Sequence, residues 1–216
     1  MQYLFTVPIV ISLLVCAVLI DVSPQPGRDE LLMLSLASAA CLTGVLFTPV
    51  DTVTRNSALV TLLFFAAVFA LPHIAIQWLP LLRLSVTLFL VIAAALSVLQ
   101  IFPNRIEPAR QFVAIGLVTL FALPIWLGPI AEAAGNPMLL TNLIVAASPL
   151  SALAVALDLD VLRTNWFYQH SVLGSLRYEY FSWLGYVALL VALVIAARAP
   201  TGHKAAPTTN QHQKRP

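Results

Sequence analysis

Residues 84–104, LSVTLFLVIAAALSVLQIFPN, form the stretch that decides the fold. They include no Asp, Glu, Lys or Arg. At about 1.5 Å per residue, a helix of this length crosses a hydrocarbon core of about 30 Å. A membrane barrel would show segments of about ten residues that alternate in polarity, and this run does not alternate. The stretch therefore predicts a transmembrane helix.

Further charge-free stretches of similar length occur along the rest of the chain. They are residues 1–20, 31–50, 56–82, 111–131, 133–157 and 180–197. Lipid offers no hydrogen-bond partner to backbone groups, so only helices can span here. The sequence predicts an all-α, polytopic helical membrane protein. We expect about six transmembrane helices, a re-entrant or kinked segment and an interfacial amphipathic helix.

The composition excludes several other classes of protein. Of the 216 residues, 60% are hydrophobic and 9% are charged, whereas soluble domains carry about 25% charged residues. The net charge of +2 is too small for a nucleic-acid-binding face. Cys16 and Cys41 lie in apolar runs without a CxxC or Cys/His spacing, which indicates neither a disulfide nor a zinc site.

The two ends of the chain have separate interpretations. Leu4–Ile20 follows no Lys or Arg and precedes no small-x-small cleavage site, so we interpret it as a retained transmembrane helix rather than a signal peptide. Residues 199–216 are polar and basic and cannot bury apolar surface, which predicts a disordered basic cytoplasmic tail. Residues 1–198 are then a single transmembrane helical domain.

The distribution of Lys and Arg indicates the number of spans and their orientation. With six spans and residues 133–157 re-entrant, seven basic residues share a side with both termini and four lie opposite. The seven are Arg55, Arg105, Arg110, Arg198, Lys204, Lys214 and Arg215, and the four are Arg28, Arg83, Arg163 and Arg177. Seven spans would divide them six against five. The sequence favours six spans with a cytoplasmic C-terminus, in a bacterial cytoplasmic membrane.

A helix break is predicted within residues 133–157. Pro149 removes a backbone donor and its ring clashes with the preceding turn. Ser148 stands immediately before it. A kinked span and a re-entrant pair of half-helices both fit this pattern.

Asp158–Trp183, DLDVLRTNWFYQHSVLGSLRYEYFSW, is too polar to span but carries seven aromatic residues. Aromatic rings with a polar edge collect at the headgroup level. If the segment is helical, Arg163, His170 and Arg177 recur every seven residues on one face, and Trp166 lies on another. We expect an interfacial anchor. One alternative is that the basic row, together with Trp166, binds an anionic substrate or lipid headgroup. The other is a surface for a partner protein.

His73 and His170 are weak candidates for holding a metal or haem. In the six-span arrangement both fall on the same outer side, which makes a haem-b electron carrier a third hypothesis. Neither lies in the middle of a helix, where bundles hold their haem ligands. The sequence therefore predicts no metal and no cofactor.

The run Ser148-Pro149-Leu150-Ser151-Ala152-Leu153, together with the short amphipathic segment and final span after it, resembles the last quarter of ABC-2-type exporter permeases. In that family an Asn-Pro-Leu-like motif occupies this position, and Ser148 stands where Asn is common. The resemblance implies six spans, cytoplasmic termini, a re-entrant helical element before the last span, and a separate ATPase. Only Thr48–Ser57 is available here for the loop that the family presents to its ATPase, which implies a reduced contact or one supplied elsewhere.

We therefore expect a membrane-spanning subunit of a transport complex, an ABC-2-like permease that is not itself an enzyme. Expected partners are membrane lipids and an ATPase or other subunits, in a homo- or hetero-oligomer without nucleic acid. GxSxG, HExxH and GxxxxGK[ST] motifs are absent, and no span carries a central charge. The alternative is a non-catalytic structural or anchoring subunit of a larger redox or biosynthetic membrane complex.

Overall fold

The computed structural model describes residues 28–47, 52–69, 77–102, 105–135, 138–164, 167 and 171–199. No strand occurs among them, so the all-α prediction is confirmed for this part of the chain. Its elements are α1 (Arg28–Phe47), α2 (Val53–Phe69), α3 (Trp78–Gln100), α4 (Ile106–Phe121), α5 (Leu123–Trp126), α6 (Gly128–Ala133), α7 (Met138–Ala147), α8 (Pro149–Ala156) and α9 (Trp183–Arg198), with 3₁₀ turns at Val161–Arg163 and Val172–Ser175.

Prolines explain several helix boundaries that the charge-free stretches do not mark. Pro80 lies in the first turn of α3, where a missing N–H is harmless. Pro124 and Pro129 likewise lie in the first turns of α5 and α6. The stretch 111–131 is therefore divided among three helices, because each proline removes one donor of a continuous helix.

The hydrophobic core is built around α3. Its fully buried residues recur about every four positions, which gives one helix face: Leu84, Leu88, Ile92 and Leu96. α3 packs against α1, α2, α4, α8 and α9. In contrast, Tyr186 is the buried residue of α9. The last helix therefore lies at the outside of the bundle.

The helix lengths support only part of the membrane prediction. α3, with 23 residues, is the one described helix that is long and apolar enough to cross a membrane by itself. α7 and α8 pass the same test as a pair, but they are bent by 80° at their junction. α2, α9 and residues 31–47 of α1 are apolar but shorter. Six full-length spans are therefore not confirmed within the described residues, and the stretch 1–20 lies outside them.

Contacts between distant residues define two ends of the bundle. Arg110, near the start of α4, donates from Nη1 to the carbonyl of Leu46 in the last turn of α1 at 2.6 Å. We name this end the Arg110 end. At the opposite end of α4, Ser171 Oγ donates to the Pro124 carbonyl at 2.9 Å. This second end also contains the starts of α3 and α9 and the described residues between 157 and 182, and we name it the Asp160 end.

Candidate functional site

The described residues between α8 and α9 do not form the continuous amphipathic helix that the sequence predicts. They include two short 3₁₀ turns, and residues 176–182 are not helical. Helical spacing therefore does not align Arg163 with Arg177, and the proposed basic row is wrong as a helix face. His170 and Trp166 lie outside the described residues. The physical reason is a set of side-chain hydrogen bonds that folds the segment back on itself.

The carboxylate of Asp160 is the centre of this set. Tyr178 donates its phenol O–H to Asp160 Oδ1 at 2.8 Å, and Tyr180 donates to the same atom at 3.0 Å. The two tyrosine rings meet edge to face, with centroids 5.4 Å apart. The backbone N–H of Leu162 donates to the Tyr180 oxygen at 3.4 Å. These bonds join the two halves of the folded segment.

Arg163 lies on the solvent side of Asp160, Tyr178 and Tyr180, which we name the Asp160 cluster. Its Nε lies 3.4 Å from Asp160 Oδ2, and its guanidinium carbon lies 5.5 Å from the centroid of the Tyr178 ring. The Arg163 side chain is 61% exposed, so the ion pair contributes little to stability. Arg177 is exposed as well. The structure thus brings Arg163, but not Arg177, against the cluster.

Burial raises the pKa values of both Tyr178 and Tyr180 above the ordinary value of 10.0. The negative charge of Asp160 raises the pKa of each phenol further, because a phenolate beside a carboxylate is unfavourable. Both phenols therefore remain protonated near neutral pH. In this form they act as donors to the carboxylate rather than as bases.

A second cluster connects the starts of α3 and α9. Arg83 Nη1 contacts both carboxylate oxygens of Asp158 at 3.1 Å. The guanidinium of Arg83 also lies 5.8 Å from the ring centroid of Trp183, whose Nε1 donates to Thr87 Oγ1 at 3.0 Å. Asp158 has a φ of +55°, a left-handed conformation that Asp tolerates better than most residues. The chain changes direction at this residue, just after the end of α8.

The junction of α7 and α8 lies at the position of the predicted helix break. Ser148 has an extended backbone, and α8 begins at Pro149. In a continuous helix the N–H of residue 149 would bond to the Val145 carbonyl, and proline has no N–H. Tyr186, which is 1% exposed, donates its phenol O–H to that carbonyl at 3.3 Å. The Ser148 N–H also donates to this carbonyl at 3.3 Å, so the tyrosine is its second donor.

The bent pair has two flanks, namely α7 before the junction and the residues that follow α8 after it. Each makes a hydrogen bond to the segment just before α9. Asn142, in α7, accepts a hydrogen bond from the backbone N–H of Glu179 at 2.9 Å. The adjacent residue Tyr178 bonds to Asp160, beyond the end of α8. Both flanks therefore lie at the Asp160 end of the bundle.

Sequence reasoning missed the residues that organise this end. Asp158, Asp160 and Arg83 mark the edges of charge-free stretches, but nothing local pairs Arg83 with a carboxylate 75 positions later. A D-x-D spacing before an aromatic segment was a usable signal, since buried phenols require acceptors. No such signal indicates the partner of Tyr186.

The described residues contain no group of three or more His, Cys, Asp or Glu that could hold a metal ion. His73 lies outside them. Cys41 is fully buried in α1. No protein-family model, no curated protein and no solved structure matches this chain.

Proposed function

We propose that the chain is a polytopic membrane protein, and the observation that carries this proposal is the apolar outer surface of its helices. On α2 the exposed fractions are 50% for Leu59, 64% for Leu62, 69% for Leu63 and 72% for Phe69. α4, α7 and α9 expose large apolar side chains of the same kind: Phe112, Ile115, Leu139, Leu143, Leu189, Leu193 and Ile195. Soluble monomers rarely expose large contiguous apolar patches. Lipid removes the cost of exposing them.

The proposed topology has six spans and a re-entrant element. α1, α2, α3, α4 and α9 connect the two ends, and the stretch 1–20 supplies the sixth span. Both flanks of the α7–α8 pair lie at the Asp160 end, which favours a re-entrant pair over a kinked span.

The charges of the two ends support an orientation. Among the side chains that the structure describes, the Arg110 end carries Arg55, Arg105, Arg110 and Arg198 with one acid, Glu107. The Asp160 end carries, within the same set, three arginines, Arg83, Arg163 and Arg177, with four acids, Glu132, Asp158, Asp160 and Glu179. Cytoplasmic loops are enriched in Arg and Lys. The Arg110 end, and both termini with it, therefore face the cytoplasm.

Within this topology, the chain acts as the membrane-spanning subunit of a transport complex, an ABC-2-like permease that works with a separate ATPase. The bent pair that precedes the last helix and its connecting segment supports this function, since the resemblance around Ser148 and Pro149 implies such an element there. Transport would proceed by alternating exposure of a path between subunits. The segment Asp158–Trp183 would then lie at the outer mouth of that path.

One observation favours a second function, that of a non-catalytic anchoring subunit. Every Asp, Glu, Lys and Arg of the described helices lies within two turns of a helix end. Intramembrane ionisable groups commonly mark transport paths and relays. A helical core without them is also what a static anchor requires.

Purification of the tagged chain from native membranes in mild detergent separates the two functions. A permease co-purifies at constant stoichiometry with a protein that bears a Walker A loop, identified by mass spectrometry. The preparation then hydrolyses ATP, and substitution of the Walker A lysine in the partner abolishes that activity without dispersing the complex. Stable partners without any ATPase would contradict the permease function and support the anchor.

A further inference from the structure

We propose that the junction of α7 and α8 binds a monovalent cation, Na⁺, through neutral oxygen atoms. The ligands are the carbonyl of Ile144 and the hydroxyls of Ser148 and Ser151, completed by water. This inference rests on the bent pair alone. It is independent of whether the partner of the chain is an ATPase.

The bend removes hydrogen-bond donors from the last turn of α7. The N–H of Ser148 donates to the Val145 carbonyl at 3.3 Å, one residue nearer than in a continuous helix. The N–H of Ser151 donates to the Ser148 carbonyl at 3.1 Å. The carbonyls of Ile144 and Ala147 thus lose their helical donors, and Ile144 is only 3% exposed. A buried carbonyl without a donor is costly, most of all in a membrane.

Two buried hydroxyls belong to residues at the bend and in the first turn of α8. Ser148 and Ser151 are 1% and 0% exposed, and neither Oγ has a hydrogen-bond partner among the described residues. The Ser151 hydroxyl faces the Tyr186 phenol, which itself bonds to the Val145 carbonyl. It is therefore directed into the junction, although no hydrogen bond of normal geometry joins the two groups.

Several other helical hydroxyls in this chain bond to the preceding turn, although those of Ser57 and Ser97 do not. Ser38 donates to the Leu34 carbonyl and Ser85 to the Leu81 carbonyl, each at 2.8 Å. This bond to the preceding turn is the usual arrangement of a helical serine. Ser148 and Ser151 do not make it, so both hydroxyls are left with unused hydrogen-bonding capacity at the bend.

The balance of donors and acceptors favours a cation over an anion. In the first turn of α8, Pro149 has no N–H, and the N–H groups of Ser151 and Ala152 bond to the Ser148 carbonyl. Only the N–H of Leu150 is left to meet an anion. α7 and α8 contain no Lys, Arg or His. The carbonyl end of α7 adds negative partial charge.

α7 and α8 contain no acidic residues, which favours a monovalent over a divalent ion. Ca²⁺ and Mg²⁺ sites in proteins use carboxylates. Broken membrane helices bind Na⁺ through unwound carbonyls and helix C-terminal ends.

Thermal unfolding of the purified full chain in detergent tests the site. NaCl is titrated against N-methylglucamine chloride at constant ionic strength. We expect a saturable rise of the unfolding midpoint with Na⁺, and direct binding of radiolabelled Na⁺. Ser151→Ala and Ser148→Ala weaken the apparent affinity by about tenfold or more, whereas Ser148→Thr keeps the hydroxyl and retains binding.

Ser57→Ala is the matched control, because Ser57 is also fully buried with an unpartnered hydroxyl but belongs to α2. It should leave the response to Na⁺ unchanged. An equal response to N-methylglucamine, or no binding of labelled Na⁺ to the wild-type chain, would overturn the proposal. The junction would then be satisfied by water alone.

Discussion

Asp160 accepts hydrogen bonds from two phenols that lie 18 and 20 residues further along the chain. Hydrogen bonds to a charged acceptor are roughly twice as strong as neutral ones. The two tyrosines are largely removed from solvent, so they have few alternative partners. At the scale of single residues, this carboxylate holds the segment between α8 and α9 in its folded path.

Asp160→Asn should lower the free energy of unfolding by about 1–2 kcal/mol, because one neutral acceptor replaces a carboxylate that serves two phenols. Asp158→Asn is the matched control. Its carboxylate is 66% exposed in the ion pair with Arg83, so the loss should stay below about 1 kcal/mol. Chemical denaturation in detergent measures both variants. Equal losses would contradict the central role of Asp160.

The raised pKa values of Tyr178 and Tyr180 predict a dependence of stability on pH. Folding favours the protonated phenols, so this stabilisation is fully present below the ordinary pKa of 10.0 and is lost as the pH rises above it. The unfolding midpoint should be constant from about pH 8 to about pH 9 and fall above about pH 10. A chain with both residues changed to Phe should show a smaller fall. An identical fall would mean that other groups titrate.

At the scale of elements, a long-range hydrogen bond from Tyr186 supports the junction of α7 and α8. Tyr186→Phe removes the phenol donor of the Val145 carbonyl, which keeps the Ser148 N–H, so the change should cost about 0.5–1.5 kcal/mol of unfolding free energy. Pro149→Ala restores an N–H and allows the helix to continue. In that background Tyr186→Phe should cost less. Strictly additive losses in this double-mutant cycle would show that the contribution of the phenol does not depend on the break at Pro149.

Local chemistry explains which elements the sequence predicts. Pro149 breaks a helix because of its own ring and missing N–H, and the charge-free stretch 84–104 contains most of α3 because apolar length is a local property. The path of the described residues between 157 and 182 is different. It depends on bonds such as that of Arg83 to Asp158, between residues 75 positions apart. A seven-residue spacing of arginines carries no information about such contacts.

At the scale of the whole molecule, the proposed membrane predicts that two side chains with the same exposed fraction differ in how well they tolerate a charged substitution. Leu63 and Leu184 are both 69% exposed. Leu63 lies near the middle of α2, and Leu184 lies in the first turn of α9. A lysine can reach the headgroups from a helix end but not from the middle.

Leu63→Lys should therefore reduce membrane integration by roughly 2–3 kcal/mol, and Leu184→Lys should leave it nearly unchanged. Resistance to carbonate extraction and the yield of integrated chain measure the difference. In a soluble protein both substitutions would be equally harmless at these exposed positions. That result would contradict the membrane proposal.

Labelling of single cysteines in intact cells tests the proposed topology most directly. In a chain whose Cys16 and Cys41 are replaced, Ala134→Cys lies before the bent pair and Ser175→Cys lies after it, and both positions are exposed. We predict that an impermeant maleimide labels both from outside, while Ile101→Cys, at the Arg110 end, reacts only after permeabilisation. Labelling of Ala134→Cys and Ser175→Cys from opposite sides would mean that the pair crosses the membrane, and would contradict the six-span, re-entrant arrangement.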